Sequence, residues 1–164
     1  MHFAQIRNYD VANGPGIRTT IFVTGCTIGC KNCFNPEYQN FQFGDIWDEK
    51  VTEQLLGYLE NPEVEGLTIL GGEPFDSSKD LSKILPIIRK GTTKSIWIYS
   101  GHVYEELIKD HYATIILNNC DVLVDGPYVE ELKDLKLKFK GSSNQRIIDL
   151  NRTRAENRII ELDI

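Results

Sequence analysis

The 164-residue chain contains no apolar run near the roughly 20 residues that a membrane span requires. Its opening, MHFAQIRNYD, lacks the basic-then-apolar layout of a secretory signal. A cytoplasmic protein without membrane attachment is therefore the expectation. Basic residues are not in surplus either. Lys and Arg number 18 against 24 Asp and Glu, giving a net charge of -6, which argues against a nucleic-acid partner because the surface repels phosphate on average. No linker, internal repeat or low-complexity tract breaks the sequence, and an apolar content of 41% suffices for one buried core, so residues 1–164 read as a single domain. Cysteine is scarce, but three of the four cysteines crowd into eight residues, at Cys26, Cys30 and Cys33. In a reducing compartment that crowding points to metal ligation rather than to disulfides. Cys120, between TIILNN and DVLV, reads as a packed core thiol, with a cluster-ligand or redox role as the alternative.

The elements follow from periodicity. Ile17 to Val23, Leu67 to Leu70, Ser95 to Tyr99 and Asp121 to Val124 are short apolar, largely β-branched runs and read as strands. Asp48 caps a helical pattern carrying Val51, Leu55, Leu56 and Leu59. Ser77 or Ser78 caps a second pattern with Leu81, Ile84, Leu85 and Ile88, kinked at Pro86 and ended by Gly91. Further helical stretches cover Val103 to Lys109 and Ala113 to Asn118. Strand, loop and helix in alternation specify an α/β fold with a mostly parallel sheet. A closed eightfold barrel needs roughly 200 residues or more, so the expectation is a partial, open β/α barrel of four to six strands with helices on the outer face. The tail from Lys136 is polar and weakly periodic, with a last strand expected at Arg146 to Leu150.

In this arrangement the cysteine loop, Gly71-Gly72-Glu73-Pro74, Ser100-Gly101 and Asp125-Gly126-Pro127 each follow a strand and converge on one face. The loop GCTIGCKNC offers three thiolates to one metal centre. Structural zinc and purely electron-transferring 4Fe-4S clusters take four protein ligands, whereas three ligands leave a coordination position free for chemistry. On the loop alone, a zinc-stabilised interaction module completed by Cys120, His102 or His111 stays open. GGEP alone is equally an ordinary turn.

The pairing of CxxxCxxC after the first strand with GGEP after the second resembles the radical S-adenosylmethionine superfamily. That resemblance implies a 4Fe-4S cluster held by Cys26, Cys30 and Cys33. It implies S-adenosyl-L-methionine chelating the open iron, with Gly71, Gly72, Glu73 and Pro74 forming the turn against the methionine amine. It further implies reductive cleavage of the cofactor to methionine and a 5'-deoxyadenosyl radical, chemistry that the cofactor supplies and the protein orients. The stretches NGPGIRTTIFVTGC, CFN, WIYSG, DVLVDGPY and KGSSNQRIID are similar to one branch, the activating proteins of anaerobic ribonucleoside-triphosphate reductase. What this branch implies is hydrogen-atom abstraction from a glycine of the reductase large subunit, with a flavodoxin-like electron donor. Activation of another glycyl-radical enzyme is the alternative.

Asn32 stands where the superfamily often has an aromatic residue, so Asn32 and Phe34 are candidate cofactor contacts, with loop packing an equal role for Phe34. Ser100 is a candidate for the cofactor carboxylate or ribose, or the N-cap of the helix after it. Asp125 either binds a cation or ribose or shapes a turn. Arg18 either holds an acidic loop or partner, or makes surface and intraloop hydrogen bonds.

Overall fold

The computed structural model describes residues 1–30 and 33–164. One seven-stranded sheet organises the chain, in the order β3-β1-β2-β4-β5-β6-β7. Its middle is built from β2 (Arg18–Val23), β4 (Gly66–Gly71), β5 (Ser95–Tyr99) and β6 (Val122–Asp125), all parallel. These are the strands legible as apolar runs, because strands covered on both faces cannot afford alternating polar residues. On one side β1 (His2–Asp10) pairs antiparallel with β2, and the two-residue β3 (Asp45–Ile46) pairs with β1. On the other side β7 (Arg146–Asp149) runs antiparallel to β6. The sheet is open, with β3 and β7 at its edges. The strand count therefore exceeds the four to six expected. β1 carries a mixed, half-buried sequence with two register shifts, and β3 is too short to leave a pattern.

Helices α1 (Glu49–Leu59), α2 (Ser78–Gly91), α3 (Tyr104–Leu107), α4 (His111–Asn118) and α5 (Leu150–Glu156) complete the fold. Asp48 caps α1 by accepting a hydrogen bond from the Val51 amide at 3.1 Å. Pro86 lies inside α2, which continues to Gly91, and Ser77 precedes it without a side-chain cap. Alternation along the strands gives the sheet two different faces. Ile21, Val23, Leu67, Ile69, Ile96, Ile98, Leu123 and Ile148 pack with Leu55, Leu81, Leu85, Ile88 and Ile116 of the helices. Trp97, Val122, Val124 and Ile147 point the other way, where Tyr99, Phe139 and Leu162 pack on them. That second face carries loops instead of helices, and it holds the cavity described below. No helix among the described residues is long and apolar enough to cross a membrane.

At the start of the parallel strands Arg18 is completely buried, so it is no surface residue and has no ion-pair partner among the described residues, while the expected intraloop hydrogen bond is present, from its guanidinium to the Pro15 carbonyl at 3.4 Å. Its guanidinium donates to Thr68 Oγ1 at 2.8 Å, Ser95 Oγ at 3.0 Å, and the carbonyls of Leu67 and Ser95 at 3.0 and 3.1 Å. It thereby ties β2 to β4 and β5, and it lies 5.6 Å from the Trp97 ring. Burial lowers its pKa to about 10, so it remains a cation at neutral pH. Arg18→Leu would leave three carbonyls and two hydroxyls short of a donor. Part of that loss is offset because a buried guanidinium no longer has to be desolvated. The expected net cost is about 2–3 kcal/mol, read as a lower denaturant midpoint with an unchanged slope.

Candidate functional site

Beyond the carboxyl ends of the parallel strands the loop-covered face encloses a cavity of about 420 Å³. Each of the four loops expected to converge contributes to its wall: Cys26, Cys30 and Cys33; Gly71, Gly72 and Glu73; Ser100 and Gly101; and Gly126. The three loop cysteines are free thiols and half-buried, whereas Cys120 is fully buried on the helix-covered side. Burial pushes the Cys26 thiol up, opposed by amide donors at Ile28 and Gly29.

The cysteine loop is fastened at both flanks. The Gly25 and Cys26 amides donate to the Tyr38 and Gln39 carbonyls at 2.7 and 3.1 Å, and Asp76 Oδ2 accepts from both the amide and the hydroxyl of Thr27 at 2.8 Å. His102 Nε2 lies 2.9 Å from the other Asp76 oxygen. Burial would raise the Asp76 pKa, but these hydrogen bonds outweigh it and hold the carboxyl below its ordinary value.

The Gly71-Gly72 turn explains its own composition. Gly71 sits at φ +119°, and a Cβ there would fall 2.3 Å from the Val23 carbonyl oxygen; one on Gly72 would fall 2.7 Å from the carbonyl oxygens of Gly25 and Tyr38. The Gly72 and Glu73 amides donate to the Val23 and Gly25 carbonyls at 2.8 Å each, so the turn lies flat against the start of the cysteine loop. Glu73 itself is 1% exposed. Its Oε1 accepts from the Gly101 amide at 2.6 Å, and its Oε2 from the Phe75 amide at 2.9 Å and from Ser100 Oγ at 3.0 Å. A carboxylate has about four acceptor positions, so three donors leave one for a ligand. Burial pushes the Glu73 pKa up to about 7 against the opposing pull of these donors and of His102.

The remaining candidates divide. Phe34 lines the cavity at its rim, 70% exposed, with its ring 5.3 Å from that of Tyr128. Ser100 lines it too, but its hydroxyl is engaged with Glu73 and accepts from the His102 amide. Val103, not Ser100, occupies the N-cap position of α3. Pro74 is buried at the start of a 3-10 helix, Pro74–Ser77, outside the lining. Asp125 is 1% exposed and also outside the lining. Arg146 holds both its oxygens, at 3.0 and 2.6 Å, and the Tyr104 amide donates to it at 2.7 Å, so the carboxylate ties β6 to β7 and α3. Asn32 lies outside the described residues.

The donor set bears on what this cavity can hold. Among the described residues no three His, Cys, Asp or Glu side chains converge on a single metal ion. Three thiols nevertheless share one cavity wall. A multi-iron cluster is larger than one ion and takes each thiolate at a separate iron, so spaced thiols around a cavity fit it better than they fit zinc.

Residues 12–148 match the family described as a 4Fe-4S single cluster domain, a span that includes the three loop cysteines and the GGEP turn. Three similar proteins bear the name anaerobic ribonucleoside-triphosphate reductase-activating protein. The one from Haemophilus influenzae is 35% identical over 90% of this chain and 97% of its own length. Its namesake in Escherichia coli K12 is 33% identical over 88% and 96%, and that of Enterobacteria phage T4 is 31% identical over 90% and 93%. The chain belongs to the family of anaerobic ribonucleoside-triphosphate reductase-activating proteins. In this member of the activating-protein family, the far wall of the cavity comes from residues that sequence reasoning did not single out, among them Asn13, Tyr99, Tyr128, Leu137 and Phe139. Tyr99 carried a signal, since it alternates with Trp97 on the loop-covered face of β5 and donates through its hydroxyl to the Phe139 carbonyl at 2.6 Å. Phe139 carried none, because it sits in irregular chain at φ +63° with its ring edge-on to Trp97.

Proposed function

We propose that this chain, acting as one domain over residues 1–164, is a cytoplasmic radical S-adenosylmethionine enzyme that places a glycyl radical on the large subunit of an anaerobic ribonucleoside-triphosphate reductase. The observation that carries this reading is the sharing of one cavity by three free loop thiols and Gly71, Gly72 and Glu73 of the GGEP turn, in a chain this similar to named activating proteins. Cys26, Cys30 and Cys33 would hold a 4Fe-4S cluster through three ligands, leaving one iron without a protein side chain. When bound, the cluster and S-adenosyl-L-methionine supply a one-electron cleavage of a carbon-sulfur bond whose product takes a hydrogen atom from glycine; a flavodoxin-like donor would provide the electron.

The chain's own groups bind and orient. Gly71 and Gly72 let backbone approach the ligand without a Cβ in the way. The free acceptor position of Glu73 suits the methionine ammonium, because a charge-assisted bond there fixes one end of the cofactor. Phe34, at the cavity rim beside Tyr128, offers a ring face to the adenine. Ser100 acts through Glu73, and Asp125 through the strand and helix it joins, rather than by cofactor contact.

Anaerobic incubation of the reconstituted protein with reductant, S-adenosyl-L-methionine and the reductase tests this. The expected result is a glycine-centred doublet in electron paramagnetic resonance that needs all four components. Formation of 5'-deoxyadenosine without that doublet would reject this reductase as the substrate, and a single zinc per chain in place of iron and sulfide would reject the chemistry altogether.

A further inference from the structure

Between β6 and β7 the chain forms a strap, residues 133–140, with the sequence KDLKLKFK. It is built firmly at its two ends. Lys133 bridges to Ser142, the Asp134 amide donates to the Gly141 carbonyl at 3.3 Å, and Phe139 is packed on Trp97 while its carbonyl accepts from Tyr99. Between those anchors the strap presents an unusual surface. Lys133, Lys136 and Lys138 are exposed and, among the described residues, pair with no carboxylate. Leu135 stands among them 89% exposed, the most exposed of the large apolar side chains, with Leu132 beside it at 43%. A chain of net charge -6 thus gathers four lysines against one aspartate within eight residues, around an apolar tip.

The strap is also continuous with the cavity, since Leu137, Phe139 and Lys140 belong to the cavity wall. Lys136 and Lys138 flank Leu137 in sequence, so a polypeptide bound at this part of the wall lies beside the strap that carries the lysines and Leu135. We infer that strap 133–140 is the docking surface for the reductase, and that it receives an acidic segment carrying an apolar side chain, next to the glycine loop that the cavity admits. This rests on the function proposed above. Complementary charge accounts for the lysines: an acidic segment repelled by a chain of net charge -6 is steered toward a local excess of positive charge. The occupant of Leu135 explains why a leucine is held in water on a strap that is fastened at both ends.

The test uses the full chain with its cluster reconstituted. The triple variant Lys133→Glu, Lys136→Glu, Lys138→Glu is compared with a control of equal charge change on the exposed side of α2, Lys79→Glu, Lys83→Glu, Lys90→Glu. Binding to the reductase is measured anaerobically at low and moderate salt with S-adenosyl-L-methionine present. Cleavage of the cofactor without reductase is measured in parallel. For the strap triple, affinity should weaken by at least about tenfold and lose most of its salt dependence. Leu135→Ser, at a position too exposed to disturb folding, should weaken it severalfold while keeping the salt dependence. Cleavage without reductase should be unchanged in every variant. Equal weakening in the α2 control would reduce the effect to net charge and overturn the strap, as would normal binding by the strap triple. A wild-type protein that gives no glycine doublet defeats the proposed function instead.

Discussion

Serine at position 26, 30 or 33 is expected to strip the protein of its cluster, taking reconstituted iron from about four atoms per chain to a small fraction. The three thiols share one wall, and among the described residues no further cysteine or histidine lines the cavity to replace a lost one: Cys120 is buried among the helices. A serine hydroxyl remains protonated near neutral pH and is a poor ligand for iron, so the loss should be nearly complete, and the glycine doublet should vanish with it. Cys120→Ala sets the comparison. Burial pushes the Cys120 thiol far up from its ordinary value, so it stays a neutral core group, and its loss should cost about 1 kcal/mol of stability at unchanged iron content. Iron and sulfide analysis with visible absorption reads both results. Full iron in any one of the three serine variants, or loss of iron from Cys120→Ala, would mean that the ligand set has been misassigned.

The parts of the fold that were legible in the sequence are those where one local pattern decides the outcome. β2 is buried at all six positions and β6 at all four, β4 and β5 are buried except at their ends, and each reads as a short run rich in apolar and β-branched residues. The cysteine loop and the Gly-Gly turn were legible for a related reason, since each places its chemistry within a few consecutive residues. What stayed hidden depends on segments far apart. β1 is half-buried along most of its length, so burial imposes no clean alternation on it, and its strand character comes from pairing with β2. Arg18 looks like a surface residue until three strands close around it and supply its acceptors from Leu67, Thr68 and Ser95. Asp125 is the same case with the sign reversed: its partner, Arg146, lies 21 positions away, and nothing near Asp125 announces it. The far wall of the cavity is assembled from the loop after β1, the end of β5 and strap 133–140, which no spacing rule connects.

Glu73→Leu is expected to be the most damaging single change outside the cysteines, because three donors converge on that carboxylate. The amides of Gly101 and Phe75 and the hydroxyl of Ser100 would all lose their acceptor in a place that water does not reach. At about 1–3 kcal/mol for each stranded group, the cost is about 4 kcal/mol even after crediting the removal of a buried charge. The same bonds hold the Ser100-Gly101 loop to the Gly-Gly turn, so the cavity should lose its shape together with its affinity for S-adenosyl-L-methionine. Glu73→Gln separates shape from charge. An amide restores an acceptor at one end but turns its NH₂ toward a donor at the other, so a smaller loss of about 1–2 kcal/mol follows. The two variants also make the pH dependence diagnostic. Glu73 is raised from 4.5 to about 7 by burial, so the folded protein binds its proton more tightly than the unfolded chain does. Its contribution to stability is fully present below pH 4.5 and is lost as pH rises through about 7. Denaturant midpoints of the wild-type protein should fall across that window, and those of both variants should be flatter there. A wild-type slope unchanged in Glu73→Gln would assign the titration to another group and leave Glu73 ionised throughout.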